Sequence, residues 1–171
     1  MKTLKLFIVM LPLIAFFGCN EKEEEEKQTG VEEYVALLKS NQYQERELPA
    51  FTHNDIDELL RYRNAKEVIT TFPRNLFSSH YQGECELGIY ILWTIESIRT
   101  EAINASFLGR FPSLNPTLKL RTSNELELVF DAESYQTVSN AYYNWWTGNN
   151  DKRLIEIMKV NPLENTEYAW Y

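Results

Sequence analysis

Histidine and cysteine are scarce in this chain, with two of each in 171 residues. His53 and His80 fall in different loops, and neither stands at helical or knuckle spacing from Cys19 or Cys85, as zinc ligands would. No metal or cofactor is therefore expected. Positive charge is also thin: 17 Lys and Arg stand against 25 Asp and Glu, a formal net charge of −8. The basic residues of the domain, among them Arg61, Arg63, Arg99 and Arg121, are scattered. Nucleic acid needs clustered Lys and Arg, so it is excluded as a partner. No repeat of fixed period appears. The apolar run from Leu6 to Phe17 is short of a membrane span, since twelve residues of helix cover about 18 Å against a hydrocarbon core of about 30 Å.

That short run has a different meaning. Lys2 and Lys5 precede it, no acid interrupts it, and Gly18 closes it, which is the pattern of a secretory signal peptide over residues 1–18. The stretch FFGCNEKEEEEK then changes character abruptly at Cys19. Here the sequence resembles a bacterial lipoprotein precursor, on Gly18-Cys19 and the short apolar segment. The resemblance implies a cut before Cys19 and fatty acylation (palmitate) of its thiol. Two or more acyl chains hold a protein durably on a bilayer, where one does so only marginally. Residues 19–29 are then a charged tether, unable to join a core and extended by self-repulsion. Lys22 followed by Glu23 to Glu26 resembles the surface-export signal of Bacteroidetes-type lipoproteins; retention on the periplasmic face is the alternative.

Without the leader, 153 residues remain and the charge moves from −8 to −10, because Lys2 and Lys5 leave with it. That length supports one domain with a genuine core, residues 30–171. Cys85 becomes the sole thiol, so no internal disulfide is possible. A lone thiol in an oxidising compartment is expected to be buried.

Helical periodicity dominates the domain. Val31, Tyr34, Val35 and Leu38 form one face, with Glu32 and Glu33 at the start and Lys39 at the end suiting the helix dipole. Thr52 and Asp55 make a capping-box variant ahead of Ile56, Leu59 and Leu60. A short helical segment over 65–70 is expected before Phe72-Pro73 breaks it. Residues 84–103 make the strongest helix, apolar on most sides and therefore central, with Gly88 on the apolar face admitting a close neighbour. Residues 117–130 allow a small β-hairpin, with Ser123-Asn124 as the turn, or a loop with a short helix. Asp131 caps a helix ending at Gly148, and a last helix from about 151 to 159 is expected to bury Leu154, Ile155, Ile157 and Met158. The tail from Pro162 reads as irregular. The expected class is all-α, an irregular multi-helix bundle.

Few constellations carry chemistry. Ser78, Ser79, His80 and Cys85 offer nucleophile and base types, but a serine-rich loop before a helix is the ordinary reading. Glu96 and Arg99, three apart, read as an ion pair at a helix rim. Tyr143, Asn144 and Trp146 offer rings beside an amide, as a sugar-binding platform would, although most of the YYNWW rings share the packing face. No catalytic residue is assigned, and the chain is read as non-enzymatic, with a hydrolytic enzyme as a distant third reading.

Taken together, FPRNLFSSHYQGECELGIYILWTIESIR and AYYNWW resemble an uncharacterised family of small Bacteroidetes lipoproteins, a domain of unknown function. The resemblance implies a helical domain in the cell envelope and brings no catalytic or binding residues. The expectation is an outer-membrane lipoprotein, anchored through Cys19 and facing the cell exterior. It acts as an accessory or adaptor module docking an envelope protein; the alternative is a glycan-binding lipoprotein.

Overall fold

The computed structural model describes residues 29–80, 83–123, 125–149 and 151–171. The expected signal peptide, Cys19 and the expected tether up to residue 28 lie outside the described residues. Helix α1 (Val31–Lys39) buries Val31, Tyr34, Val35 and Leu38 and keeps its acids in the first turn. After a loop, Thr52 opens a 3-10 turn at His53–Asp55: its amide donates to Asp55 Oδ2 at 2.7 Å, while its hydroxyl accepts from Asn54 N at 3.3 Å. Short α2 (Ile56–Leu59) follows directly and buries Ile56 and Leu59.

The next segment departs from expectation. Residues 65–70 do not form a helix; they carry strand β1 (Val68–Ile69), which pairs antiparallel with β2 (Cys85–Glu86). The reason lies at the start of the central helix α3 (Leu87–Ala102). Its N-cap, Glu86, supplies no side-chain hydrogen bond, yet its first N–H groups are buried and must be satisfied. Backbone carbonyls of the extended 65–67 segment do this, accepting from Leu87 N and Gly88 N at 2.8 Å each. A helix at 65–70 would turn those carbonyls along its own axis.

Every residue of α3 from Leu87 to Thr100 is buried, which confirms the central position inferred from its all-round apolar character. Tyr34 of α1 meets Thr94 through their hydroxyls at 3.2 Å. Trp93 stacks on Phe111 and donates its indole N–H to Ser113 Oγ at 2.8 Å. Helix α4 (Ala132–Thr147), capped by Asp131 Oδ1 on Ser134 N at 2.9 Å, lays Val138, Tyr142 and Trp145 into the core.

Strands β3 (Leu118–Leu120) and β4 (Leu128–Val129) make the hairpin that the sequence allowed, with Leu118 opposite Val129. The tail adds a third strand. β5 (Tyr168–Trp170) pairs antiparallel along the other edge of β3, giving the order β4-β3-β5. Short α5 (Leu154–Lys159) precedes it and buries Ile157 and Met158, whereas Leu154 and Ile155 are exposed. Only six residues are helical there, so just one stripe of the helix reaches the core.

The class is therefore mixed α and β, five helices and two small antiparallel sheets among the described residues, and not all-α. The β3–β4 hairpin was open to sequence reading, but β1–β2 and the β5 edge were not: strands of two or three residues have no measurable alternation, and these partners lie far along the chain.

Candidate functional site

Two surface features and one buried cluster gather polar or apolar side chains in a way that packing alone does not require. The first is a groove of about 530 Å³ between the outer face of α4 and the segment 160–166. Asn140 and Asn144, one helical turn apart, form one wall; Asn149 closes the end; Asn161 and Asn165 form the other wall. Ala141, Trp145, Val160 and Pro162 line it between them. No ionisable side chain lines it. The far wall is braced: Asn161 Oδ1 accepts from Leu163 N at 2.9 Å, and Arg121 Nη2 donates to Leu163 O at 3.0 Å.

The second feature is the loop after Pro73. Leu76 is 90% exposed and Phe77 67% exposed, although both are large and apolar. Their backbone is braced from below. Asn75 is buried, donates through Nδ2 to Ser113 O at 3.0 Å and accepts on Oδ1 from Phe77 N at 3.0 Å. Asn115 Nδ2 reaches Ser78 Oγ at 2.8 Å.

The buried cluster centres on Glu96. Arg99 donates to both carboxylate oxygens, Nε to Oε2 at 2.8 Å and Nη2 to Oε1 at 2.6 Å, and its Nη1 reaches Met158 O at 3.1 Å. Tyr142 donates to Glu96 Oε2 at 2.7 Å and accepts from Trp170 Nε1 at 2.7 Å. This pair sits inside the core, not at a helix rim. Burial works against the Arg99 guanidinium's charge, but the hydrogen bond and charge of Glu96 outweigh it and raise its pKa. Burial first, then the Glu96 charge, pushes Tyr142 far above the ordinary phenol range. The cluster ties α3, α4, α5 and β5 together with its polar atoms paired, which is a structural arrangement.

The residues singled out from the sequence are distributed among these features. Tyr143 is 42% exposed, with the Arg63 guanidinium 4.4 Å from its ring centroid. Trp146 is half-buried and donates to Asp57 Oδ1 at 2.7 Å. Both therefore face the 57–63 segment, while Asn144 points the other way, into the groove. Cys85 is buried, as expected of a lone thiol, and burial followed by the Glu86 charge raises its pKa well above the usual thiol range. His80 is exposed, its ring edge-on to Tyr171, and Ser78 is engaged with the His80 backbone. The two halves of a Cys-His nucleophile thus occupy different environments. Among the described residues, no group of His, Cys, Asp and Glu could hold a metal, and no helix is long and apolar enough to cross a membrane. Cys19 lies outside the described residues.

Sequence reading missed the asparagine groove because its walls are sixteen or more residues apart along the chain and single asparagines carry no motif. It also missed the Leu76-Phe77 projection, since nothing in two adjacent apolar residues of a loop marks them as exposed. No curated protein and no solved structure matches this chain. A family profile matches residues 25–171, spanning the whole folded domain, and the chain belongs to the family Domain of unknown function (DUF4943).

Proposed function

We propose that this protein is an outer-membrane lipoprotein, displayed on the cell exterior, whose domain acts as an adaptor docking an envelope protein. The carrying observation is the Leu76-Phe77 projection. Two adjacent large apolar side chains held in solvent lose about 1.5–3 kcal/mol each relative to burial. The Asn75 brace means that little ordering entropy remains to oppose docking. A rigid Leu-Phe knuckle fits the anchor-in-pocket pattern of protein interfaces. The acidic tether and the Gly18-Cys19 junction support the anchored location.

The test is photo-crosslinking in intact cells, with a photoreactive phenylalanine analogue placed at Phe77 of the full-length protein. A discrete higher-mass protein adduct is expected from that position and not from an exposed control such as Lys152. Identical patterns from both sites, or adducts to lipid alone, would refute the adaptor reading.

A further inference from the structure

We propose that the groove between α4 and the 160–166 segment binds a neutral saccharide through its asparagine amides, a site independent of the Leu76-Phe77 loop. The charge of the lining selects the class of ligand. A quarter of the chain is charged, yet none of the residues lining this groove is ionisable. An anion would find no cation in the lining, and a cation no carboxylate. A wholly apolar ligand would cover amide groups without replacing their hydrogen bonds to water, at a cost of about 1–3 kcal/mol for each. What remains is an uncharged ligand dense in groups that both donate and accept.

The amides are arranged to offer both functions. Asn140 Oδ1 is occupied by Gln136 Nε2 at 3.1 Å, which turns its NH2 outward as a donor. Asn161 Oδ1 is likewise engaged, by Leu163 N, leaving another donor. Asn149 is the reverse, since its Nδ2 donates to Trp145 O at 2.6 Å and leaves its carbonyl oxygen as an acceptor. Asn144 and Asn165 are exposed and make no side-chain hydrogen bond among the described residues, so each offers a full amide. Between the walls, half-buried Ala141 and exposed Val160 supply aliphatic surface against which the C–H face of a pyranose can lie. The volume, about 530 Å³, falls within the roughly 300–1,000 Å³ of ligand clefts. A peptide is the less suited occupant. Peptides bound by backbone pairing need an open strand edge, and this groove is walled by a helix and a turn-rich segment with no strand in either wall.

The experiment is calorimetric titration of the detergent-solubilised full-length protein. The probes are hexasaccharides of glucose, mannose, galactose and xylose, with the hexamer of galacturonic acid as the charged counterpart. At least one neutral hexamer is expected to bind with Kd below about 1 mM, which corresponds to about 4 kcal/mol, and the galacturonate hexamer at least tenfold more weakly. Asn144→Ala with Asn165→Ala should weaken binding tenfold or more. Both positions are exposed, so an unchanged melting temperature will show that the fold survives. Asn54→Ala, an exposed amide elsewhere, should leave affinity intact, and so should Leu76→Ser with Phe77→Ser, which separates this site from the docking loop. Failure of all neutral hexamers, equal binding of the charged one, or indifference to the Asn144 and Asn165 substitutions would overturn the proposal.

Discussion

At the centre of the domain Tyr142 donates to Glu96 and accepts from Trp170, so one hydroxyl links three elements. Its removal has two separable consequences. In Tyr142→Phe the Trp170 indole N–H loses its acceptor and Glu96 one of its donors, which costs about 1–3 kcal/mol at pH 7. The second consequence concerns alkaline pH. Tyr142 is held protonated in the folded state far above the ordinary phenol range, while the unfolded chain loses that proton near pH 10. The unfolded state therefore binds fewer protons above pH 10, and stability present below that pH declines as pH rises. Each such tyrosine contributes about 1.4 kcal/mol per pH unit to the decline. Tyr34 and Tyr90 act in the same direction, chiefly through burial. Guanidinium unfolding at pH 7 and between pH 10 and 11.5 should find Tyr142→Phe less stable at neutrality but with a shallower alkaline slope. Equal slopes for variant and parent would contradict this assignment.

On the scale of single elements, α3 shows how local chemistry and long-range contact divide the work. An apolar surface on nearly every side makes it a buried helix, and that much is visible in the letters 84–103. Its first turn is set from outside, by the carbonyls of Ala65 and Glu67. Gly88 sits where that approach is tightest: an added Cβ would lie 2.7 Å from Arg63 O and 2.9 Å from Ala65 O, both backbone atoms. In an isolated helix, Gly→Ala would stabilise by about 0.5–1 kcal/mol. Here the clash reverses the sign, and Gly88→Ala should destabilise by about 1–3 kcal/mol. Thermal unfolding reads this directly, and a raised melting temperature would show that the neighbouring backbone yields. Cys85 and Glu86, which read as the opening of this helix, instead pair with β1. Their letters carry no strand signal; the pairing exists because a helix start in the core must borrow carbonyls from another segment.

For the molecule as a whole, the decisive question is attachment. If Cys19 carries the lipid, Cys19→Ser should shift the protein from the membrane fraction to a soluble one, with its leader handled differently. Protease shaving of intact cells should remove the parent domain without lysis. Full protection of the parent would defeat outward display, and an unchanged membrane fraction for Cys19→Ser would defeat lipid anchoring.

The letters alone were sufficient for the features that depend on neighbours along the chain. These are the amphipathic faces of α1 and α4, the Asp131 cap, the all-round apolar character of α3, and the burial of Cys85. The helical features follow from spacing of 3.6 residues and from local capping and charge, and the burial of Cys85 from its being a lone thiol. Only three-dimensional packing determined the rest: the pairing of Leu118 with Trp170, the meeting of Glu96 with Tyr142, the exposure of Leu76 and Phe77, and the joining of Asn144 to Asn161 and Asn165 across one groove. Those contacts join residues far apart in the chain. Their stability comes from burial and hydrogen bonding between segments that carry no mark of each other, so no local pattern announces them.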